Sequence, residues 1–519
     1  MEKKSGKKKT STKTTKTAKT APKKENVVEP VVEENKTEKV VSKKEVVNDK
    51  KQPTKTNHFL FKALAICILV GIVISWIIPA GTFSSSNLTT TEPARTGINE
   101  MFLSMFYASN YYLLQVVLVL IVGLFYGVIS KTNGYKALIN KAVEFWKPRK
   151  KWFALVHTLV IALYVSMATQ SLPILFFIPM IISIASRLGY GKISSVVMTF
   201  GAMLVGLIGQ TTATLGLDYL VSTMNVKITT NLGVRFGILA VSYILLNFFL
   251  IKMHKKEKND SVEPIDLLEL TGDEKKGKVW PYVLVFIVLF VFMILGYMPW
   301  NSAFGITAFD TFHTWLTTKV TMTIGGKEHA IFGYILGKVS AFGSWDMFTI
   351  CYIAMIILIF VKLFTKIKMD DCLDSVVAGM QKMLKPALFI VLAYTMFVIS
   401  YWSGYTNTMV DKIVGTNFNP FSASVANAIA TFFNVDFGFS GYSLGSVYAA
   451  RFADYTGTMM TIMTSINGLV SLVAPTSVLL VTGLSMYDVS YKKWLKAIWK
   501  FAVIVLVILL ILFTIMTYA

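Results

Sequence analysis

Two strongly apolar stretches, residues 204–218 and 470–484, are each interrupted by polar residues near the middle. The interruptions are Gln210, Thr211 and Thr212 in the first stretch and Pro475, Thr476 and Ser477 in the second. In a bilayer, such irregular backbone is tolerated only where it is buried in protein or lines a cavity. Hydroxyl and carbonyl oxygens there can coordinate Na⁺, while helix N-termini favour anions. The breaks therefore predict a binding site, to which Asn467 can add an amide oxygen.

A segment with polar or small residues precedes each break. Residues 166–180 (SMATQSLPILFFIPM) precede the first break, and residues 434–446 (NVDFGFSGYSLGS) precede the second. We interpret these segments as re-entrant hairpins and expect substrate- or ion-binding residues at their tips. The predicted tip residues are Thr169, Gln170 and Ser171 in the first half and Ser440, Gly441 and Ser443 in the second. One proline kink with hydroxyl neighbours often serves packing alone, but two matched breaks favour a functional site.

Charged residues near the second predicted hairpin are candidates for substrate or proton charge, because charges in apolar surroundings are costly and usually functional. The candidates are Asp436, Arg451 and Asp454. Arg451 and Asp454 either pair with each other as a structural bridge, or Arg451 binds a substrate carboxylate, or an aspartate carries a proton. His157 is expected to pack rather than relay protons. Arg235, at a helix end, is expected at the membrane interface.

The elements that must position these residues are membrane helices. The chain has 519 residues, of which 54% are hydrophobic and only 15% charged, and many runs approach the roughly 20 apolar residues that span a bilayer. This composition excludes a soluble globular protein. We expect an all-α polytopic membrane protein with two structural repeats, each with a re-entrant hairpin and an unwound transmembrane helix.

The charge distribution suggests four regions. Residues 1–57 contain 17 lysines and 8 acidic residues, and we expect a disordered basic tail that stays in the cytosol or docks on anionic lipid. The first membrane repeat is predicted at 58–252, a charged cytosolic linker at 253–279 and the second repeat at 280–519. Basic loops after the first helices favour a multi-pass protein of the cytoplasmic membrane with a cytosolic N-terminus. The tail lacks interleaved aromatic residues, so nucleic-acid binding is not expected.

The sequence offers no enzyme or cofactor signature. There is no Walker loop for ATP, no metalloprotease motif and no nucleophile elbow. The three cysteines are far apart and form no metal or redox pair. We therefore expect no catalytic residues, no cofactor and no metal other than Na⁺ as a coupling ion.

Several motifs resemble the C4-dicarboxylate anaerobic carrier-like (YfcC-like) family of the ion-transporter superfamily. These motifs are SWIIPAGTF (75–83), GLFYGVISKTNGY (123–135), IPMIISIASRLGY (178–190), LVAPTSVLLVTGL (472–484) and KKWLKAIWKF (492–501). The resemblance covers the chain from about residue 59 to the C-terminus. It implies inverted repeats, a homodimer with scaffold and transport domains, and secondary transport driven by Na⁺, H⁺ or exchange. Members have been linked to dicarboxylates and to arginine/ornithine exchange.

One departure from the family pattern narrows the substrate. Many relatives carry acidic residues around the first hairpin, where this chain has Ala168, Thr169, Gln170 and Ser171. A strongly cationic substrate or a proton relay through that hairpin is therefore disfavoured. The sequence predicts a secondary active transporter of a small carboxylate, amino acid or peptide. A channel and a non-transporting membrane scaffold or sensor are the alternatives.

Overall fold

The computed structural model describes residues 58–84, 86–257, 263–365 and 367–518. The predictions for residues 1–57, a disordered basic tail that binds anionic lipid, fall outside the described residues. The first half contains ten α-helices: α1 (His58–Ile77), α2 (Ile98–Tyr111), α3 (Leu113–Ser130), α4 (Asn133–Trp146), α5 (Lys150–Met167), α6 (Ile178–Arg187), α7 (Lys192–Val196), α8 (Ala202–Ile208), α9 (Thr214–Met224) and α10 (Leu232–Glu257). A π-turn, Val197–Gly201, joins α7 to α8, and a 3₁₀ turn, Leu172–Phe176, precedes α6.

The second half has eleven further helices within its described residues. They are α11 (Trp280–Tyr297), α12 (Ala308–Thr314), α13 (Ile331–Leu336), α14 (Met347–Thr365), α15 (Met369–Ser403), α16 (Tyr405–Val414), α17 (Pro420–Phe433), α18 (Phe437–Arg451), α19 (Thr456–Val473), α20 (Val478–Met486) and α21 (Tyr491–Tyr518). Two antiparallel β-hairpins are also present: β1 (Ala80–Ser84) with β2 (Asn87–Thr91), and β3 (Thr321–Ile324) with β4 (Lys327–Ala330).

Nine helical segments in the described part of the chain are long and apolar enough to cross a membrane. Their burial differs strongly. In α15, and in the segment from Ala453 through α19 to Met486, 78% of the most apolar window is buried, whereas the value for α21 is 22%. The first two segments therefore form the centre of the protein, and the apolar surface of α21 is suited to lipid. The predicted all-α polytopic membrane protein is confirmed.

Close contact between α3 and α15 depends on small residues. Gly123 and Gly127 of α3 face Ser375 and Gly379 of α15, and a Cβ atom at Gly127 would lie 2.1 Å from the Ser375 carbonyl oxygen. Small residues at such a crossing let two backbones approach closely, which stabilises helix pairs where the hydrophobic effect does not drive association. This crossing joins the two halves of the chain.

A second set of contacts repeats between the halves. Helix α5 packs along α8, and α10 covers both; in the second half α17 packs along α19, and α21 covers both. Helices α8 and α19 then pack against each other. The helices that follow the predicted hairpin turns do not pack mainly on the helices that precede them: α18 packs along α9, and α6 packs against α4. The re-entrant character of these segments therefore stays a prediction.

The described part of the predicted linker is docked on the first half. Residues 263–279 follow the end of α10 and contact α4 and α6. The Asp266 carboxylate lies 2.7 Å from the Arg187 guanidinium of α6, and the Asp273 backbone N–H donates to Asn133 Oδ1 of α4 at 2.7 Å. This part of the linker is thus fixed by specific polar contacts.

Candidate functional site

A cavity of about 360 Å³ lies between the two halves, at the breaks. Its walls come from the connection after α5, the break after α8, the connection after α17 and the break after α19. The predicted residues that line it are Thr169, Gln170, Ser171, Gln210, Asp436, Asn467, Thr476 and Ser477. Polar residues from both halves of the chain thus meet around one space of a size suited to a small solute.

The first break separates α8 from α9 and is bonded to the end of α5. The Ser166 carbonyl of α5 accepts the Thr211 backbone N–H at 2.8 Å and the Thr211 hydroxyl at 3.1 Å. The Ser166 hydroxyl donates to the Gly209 carbonyl at 2.6 Å. These bonds satisfy backbone groups that the interruption frees, which stabilises irregular backbone inside a membrane protein.

The second break separates α19 from α20 and is bonded to the end of α17. Pro475 has no N–H to donate, so a continuous helix cannot form through it. The Thr476 hydroxyl donates to the Phe432 carbonyl of α17 at 2.9 Å. The Ser477 hydroxyl accepts the Leu480 N–H at 3.4 Å and caps α20. The predicted break thus has the polar partners that it needs.

The hydrogen bonds at the two breaks correspond position by position. Thr211 and Thr476 are each the third residue after the preceding helix, α8 or α19. Their hydroxyls donate to Ser166 and Phe432, each the next-to-last residue of its helix, α5 or α17. Matched bonds at matched positions support a structural repeat, although most of the paired residues differ in type.

The fourth residue of each covering helix, α21 or α10, donates to a backbone carbonyl near the corresponding break. In α21 this residue is Trp494, whose indole N–H donates to the Leu472 carbonyl at 2.9 Å. In α10 it is Arg235, whose Nη1 donates to the Gln210 carbonyl at 3.4 Å and whose Nη2 donates to the Ile228 carbonyl. The Arg235 side chain is buried inside the protein, only 1% exposed, and its expected position at the membrane interface stays a prediction.

Four residues that line the cavity carry a buried side-chain oxygen without a hydrogen-bond partner among the described residues. These oxygens are Gln115 Oε1, Thr169 Oγ1, Gln170 Oε1 and Gln210 Oε1. A buried acceptor without a partner costs about 1–3 kcal/mol, so native proteins rarely leave several of them together. Their convergence on one cavity fits a cation or a hydrogen-bond donor bound there.

Asp436 takes the place in the second half that Gln170 takes in the first, since each is the third residue after its helix. Its carboxylate accepts the Tyr112 hydroxyl at 3.0 Å and caps α18 by accepting the Phe439 N–H at 3.0 Å. Asp436 lines the cavity. The predicted candidate for substrate or proton charge is therefore at the site.

Three predicted tip residues of the second half lie elsewhere. The turn after α17 is Asn434–Asp436, and Ser440, Gly441 and Ser443 lie inside α18. A Cβ atom at Gly441 would lie 3.2 Å from the Gly216 carbonyl of α9, so the small residues of this segment serve helix packing. Ser440 accepts a hydrogen bond from the Asn434 amide at 2.9 Å. Ser443 lines a different cavity of about 760 Å³.

Arg451 and Asp454 do not pair and do not line the cavity. Arg451, at the end of α18, forms an ion pair with Asp411 of α16 and donates from Nε to the Ser86 carbonyl at 2.8 Å. Asp454 is exposed in the turn before α19. The bridge between Arg451 and Asp454 is therefore wrong, because α16 presents a nearer carboxylate that sequence spacing does not reveal.

Three further predicted residues support the site from behind. Thr211, Thr212 and Pro475 are buried in the breaks but do not line the cavity. The Thr212 hydroxyl donates to the Met167 carbonyl at 3.3 Å.

His157 packs between Trp146 and Phe153 and bonds the Phe153 carbonyl at 2.7 Å through Nδ1. His157 is thus a hydrogen-bonded packing residue, as predicted.

Sequence reasoning missed several residues that line the cavity. They include Gln115, Asp346, Tyr394, Thr431 and Ser471. Gln115 was detectable in principle, because it is an amide inside the otherwise apolar α3. Ser471 lies in the second interrupted stretch itself, whereas Asp346, Tyr394 and Thr431 lie outside both interrupted stretches and are brought to the cavity by the tertiary arrangement.

Comparison with known proteins gives the family. The profile of the C4-dicarboxylate anaerobic carrier family matches residues 58–518. Among solved structures, the chain is similar to the YdaH transporter of Alcanivorax borkumensis, with 11% identity, 89% of this chain and 98% of that chain covered, and a TM-score of 0.36. No curated protein sequence matches significantly. The family match covers almost all of the membrane region, and the chain therefore belongs to the C4-dicarboxylate anaerobic carrier family and is a multi-pass membrane carrier.

Proposed function

We propose that the protein is a secondary active carrier that moves a C4-dicarboxylate together with Na⁺. The observation that carries the proposal is the group of unpartnered oxygens around the cavity between the two breaks. Amide, hydroxyl and unwound backbone oxygens are the ligands that coordinate Na⁺ in transporters with broken helices. The family name supplies the dicarboxylate class.

The charge of the cavity supports cation coupling. Asp346 and Asp436 contribute carboxylates, and the residues that line the cavity in the described ranges include no lysine, arginine or histidine. These carboxylates repel a dianion, and a cation that enters with it reduces the repulsion. Coupling to Na⁺, or to protons, reduces this repulsion, because the substrate and the ion together carry less negative charge than the substrate alone.

The first break offers a place for a substrate carboxylate. Helix α9 begins directly after Ala213, which lines the cavity and has no side chain that caps the helix. The free N–H groups of a helix start attract anions. The amide nitrogens of Gln170 and Gln210 can also donate to a carboxylate, because a glutamine amide carries both donors and an acceptor. The two ligands can thus share one cavity.

Uptake into proteoliposomes tests this function. The full chain is reconstituted, and labelled succinate uptake is measured with an inward Na⁺ gradient, with choline and with a proton gradient. We expect saturable, Na⁺-stimulated uptake that falls at least about tenfold in Gln170→Ala, because a ligand of both substrate and ion is lost. Gln381→Ala is the matched control, since Gln381 is exposed on α15 and lines neither cavity.

The possible outcomes separate the alternatives. Uptake that rises linearly with concentration indicates a channel. Stimulation by a proton gradient alone means that the coupling ion is H⁺ and not Na⁺. Uptake of amino acids or peptides without any C4-dicarboxylate contradicts the substrate class, and no flux of any solute favours a scaffold or sensor.

The orientation and assembly remain part of the proposal. We propose a location in the cytoplasmic membrane with a cytosolic N-terminus, because Lys131, Lys136, Lys141, Lys147 and Arg149 cluster after α3. Labelling of single cysteines placed at Lys147 and at Thr323 by an impermeant reagent tests the orientation. A homodimer is proposed from the family resemblance, and the mass of the protein in nanodiscs tests it.

A further inference from the structure

Arg235 is a buried cation without a carboxylate partner among the described residues. Its side chain is 1% exposed, and its guanidinium donates to two backbone carbonyls, those of Gln210 and Ile228. Its Nε has no partner in the described structure. Gln210 belongs to the first break and lines the cavity, whereas Ile228 lies in the loop between α9 and α10. The arginine thus ties the break to the loop that follows α9.

The second half makes a related contact without a charge, to a carbonyl at the end of α19 rather than in the break itself. Trp494 occupies the same position in α21 that Arg235 occupies in α10, and it binds a backbone carbonyl of α19 with a neutral indole N–H. A hydrogen bond alone therefore does not require an arginine. Burying an ionised group is far more costly than burying a neutral donor, and such charges inside membrane proteins usually have a function.

We infer that Arg235 is a positioning residue that holds the first break and gives this end of the cavity a positive potential for an anionic group of the substrate. The inference rests on the proposed dicarboxylate function. The guanidinium acts through the Gln210 backbone, which it contacts, and through its field, which is weakly screened in a buried environment. The cation-binding oxygens and the anion-attracting end of the cavity then belong to one half of the chain.

Hydrogen exchange of the full chain in nanodiscs tests the positioning role without any ligand. The variants are Arg235→Met, which removes charge and donors, and Trp494→Phe, which removes the matched neutral donor. We expect exchange of residues 209–213 to accelerate at least about tenfold in Arg235→Met, with residues 474–477 unchanged. Trp494→Phe should show the converse. Unchanged exchange at 209–213, or equal acceleration at both breaks, overturns the positioning role.

Ligand selectivity tests the role of the charge. Affinities for succinate and for its monoamide, succinamate, are measured for the wild type, Arg235→Gln and Arg235→Lys. We expect Arg235→Gln to reduce the preference for the dianion at least about fivefold and Arg235→Lys to retain most of it, because one substrate charge differs between the ligands. An equal loss of both affinities with an unchanged ratio indicates a purely structural residue and overturns the electrostatic role.

The two proposals can fail separately. If the wild type binds neither succinate nor succinamate, the dicarboxylate function and the electrostatic role both fail, and the exchange experiment alone decides the positioning role. If the wild type binds succinate and Arg235→Gln keeps the same preference for the dianion, the proposed function stands and the inferred electrostatic role of Arg235 does not.

Discussion

The two halves hold their breaks with similar hydrogen bonds but place their charges oppositely. Where the first half has neutral Gln170 beside the cavity and charged Arg235 behind it, the second half has charged Asp436 beside the cavity and neutral Trp494 behind it. The four cavity residues whose side-chain oxygens lack a partner in the described structure all belong to the first half, whereas the Asp436 carboxylate is bound by Tyr112 and Phe439. A repeated scaffold can thus carry two different binding surfaces.

The largest effect is expected when the first half is given the carboxylate of the second. In Gln170→Asp, three carboxylates line the cavity in place of the present Asp346 and Asp436. We expect succinate uptake at low concentration to fall by about 30-fold or more, because like charges at close range disfavour binding strongly. Gln381→Asp, at an exposed position of α15, is the control. Unchanged uptake in Gln170→Asp contradicts a carboxylate-binding cavity.

Removing the charge of the second half should affect the ion more than the fold. Asparagine can cap α18 as aspartate does, so Asp436→Asn should change the free energy of unfolding by less than about 0.5 kcal/mol. We expect the Na⁺ concentration for half-maximal uptake to rise about tenfold, since a carboxylate beside the cavity stabilises the bound cation. The Na⁺ dependence of uptake and a urea or thermal unfolding series measure the two quantities. An unchanged Na⁺ dependence places the ion away from Asp436.

The matched threonines should differ in their contribution to stability. The Ser166 carbonyl accepts the Thr211 backbone N–H as well as its hydroxyl, whereas the Phe432 carbonyl is bound by the Thr476 hydroxyl. Thr476→Val should therefore cost about 1–3 kcal/mol of unfolding free energy and Thr211→Val about 1 kcal/mol or less. Thermal unfolding of both variants in the same lipid measures the difference. A larger loss in Thr211→Val reverses the comparison.

The smallest effect is expected at a predicted residue that lies outside the cavity. Ser443 is in α18 and faces the separate cavity of about 760 Å³. Ser443→Ala should leave succinate uptake within about twofold of the wild type, because surface-type substitutions away from a site are usually near neutral. Ser477→Ala, at the second break, is the paired variant and should reduce uptake more. A larger effect of Ser443→Ala shifts the site toward α18.

Sequence reasoning succeeded where local chemistry determines structure. Pro475 removes a backbone donor, and polar residues in an apolar run must find partners, so the breaks at Gln210 and Thr476 were predictable. Asp436 was predictable as a rare charge. Sequence reasoning failed where helix packing decides, because the glycines of α18 read as a hairpin tip but serve the contact with α9. The partner of Arg451 and the burial of Arg235 depend on distant helices that spacing does not reveal.

The most direct test of the central claim is an electron cryo-microscopy structure of the full chain in nanodiscs with Na⁺ and succinate. If the matched breaks form the site, succinate density will lie between Gln170 and Ala213, with an ion peak near Thr169 or Asp436 that is lost when choline replaces Na⁺. Succinate density in the cavity beside Tyr401 and Ser443, with the space between the breaks empty, would contradict the claim.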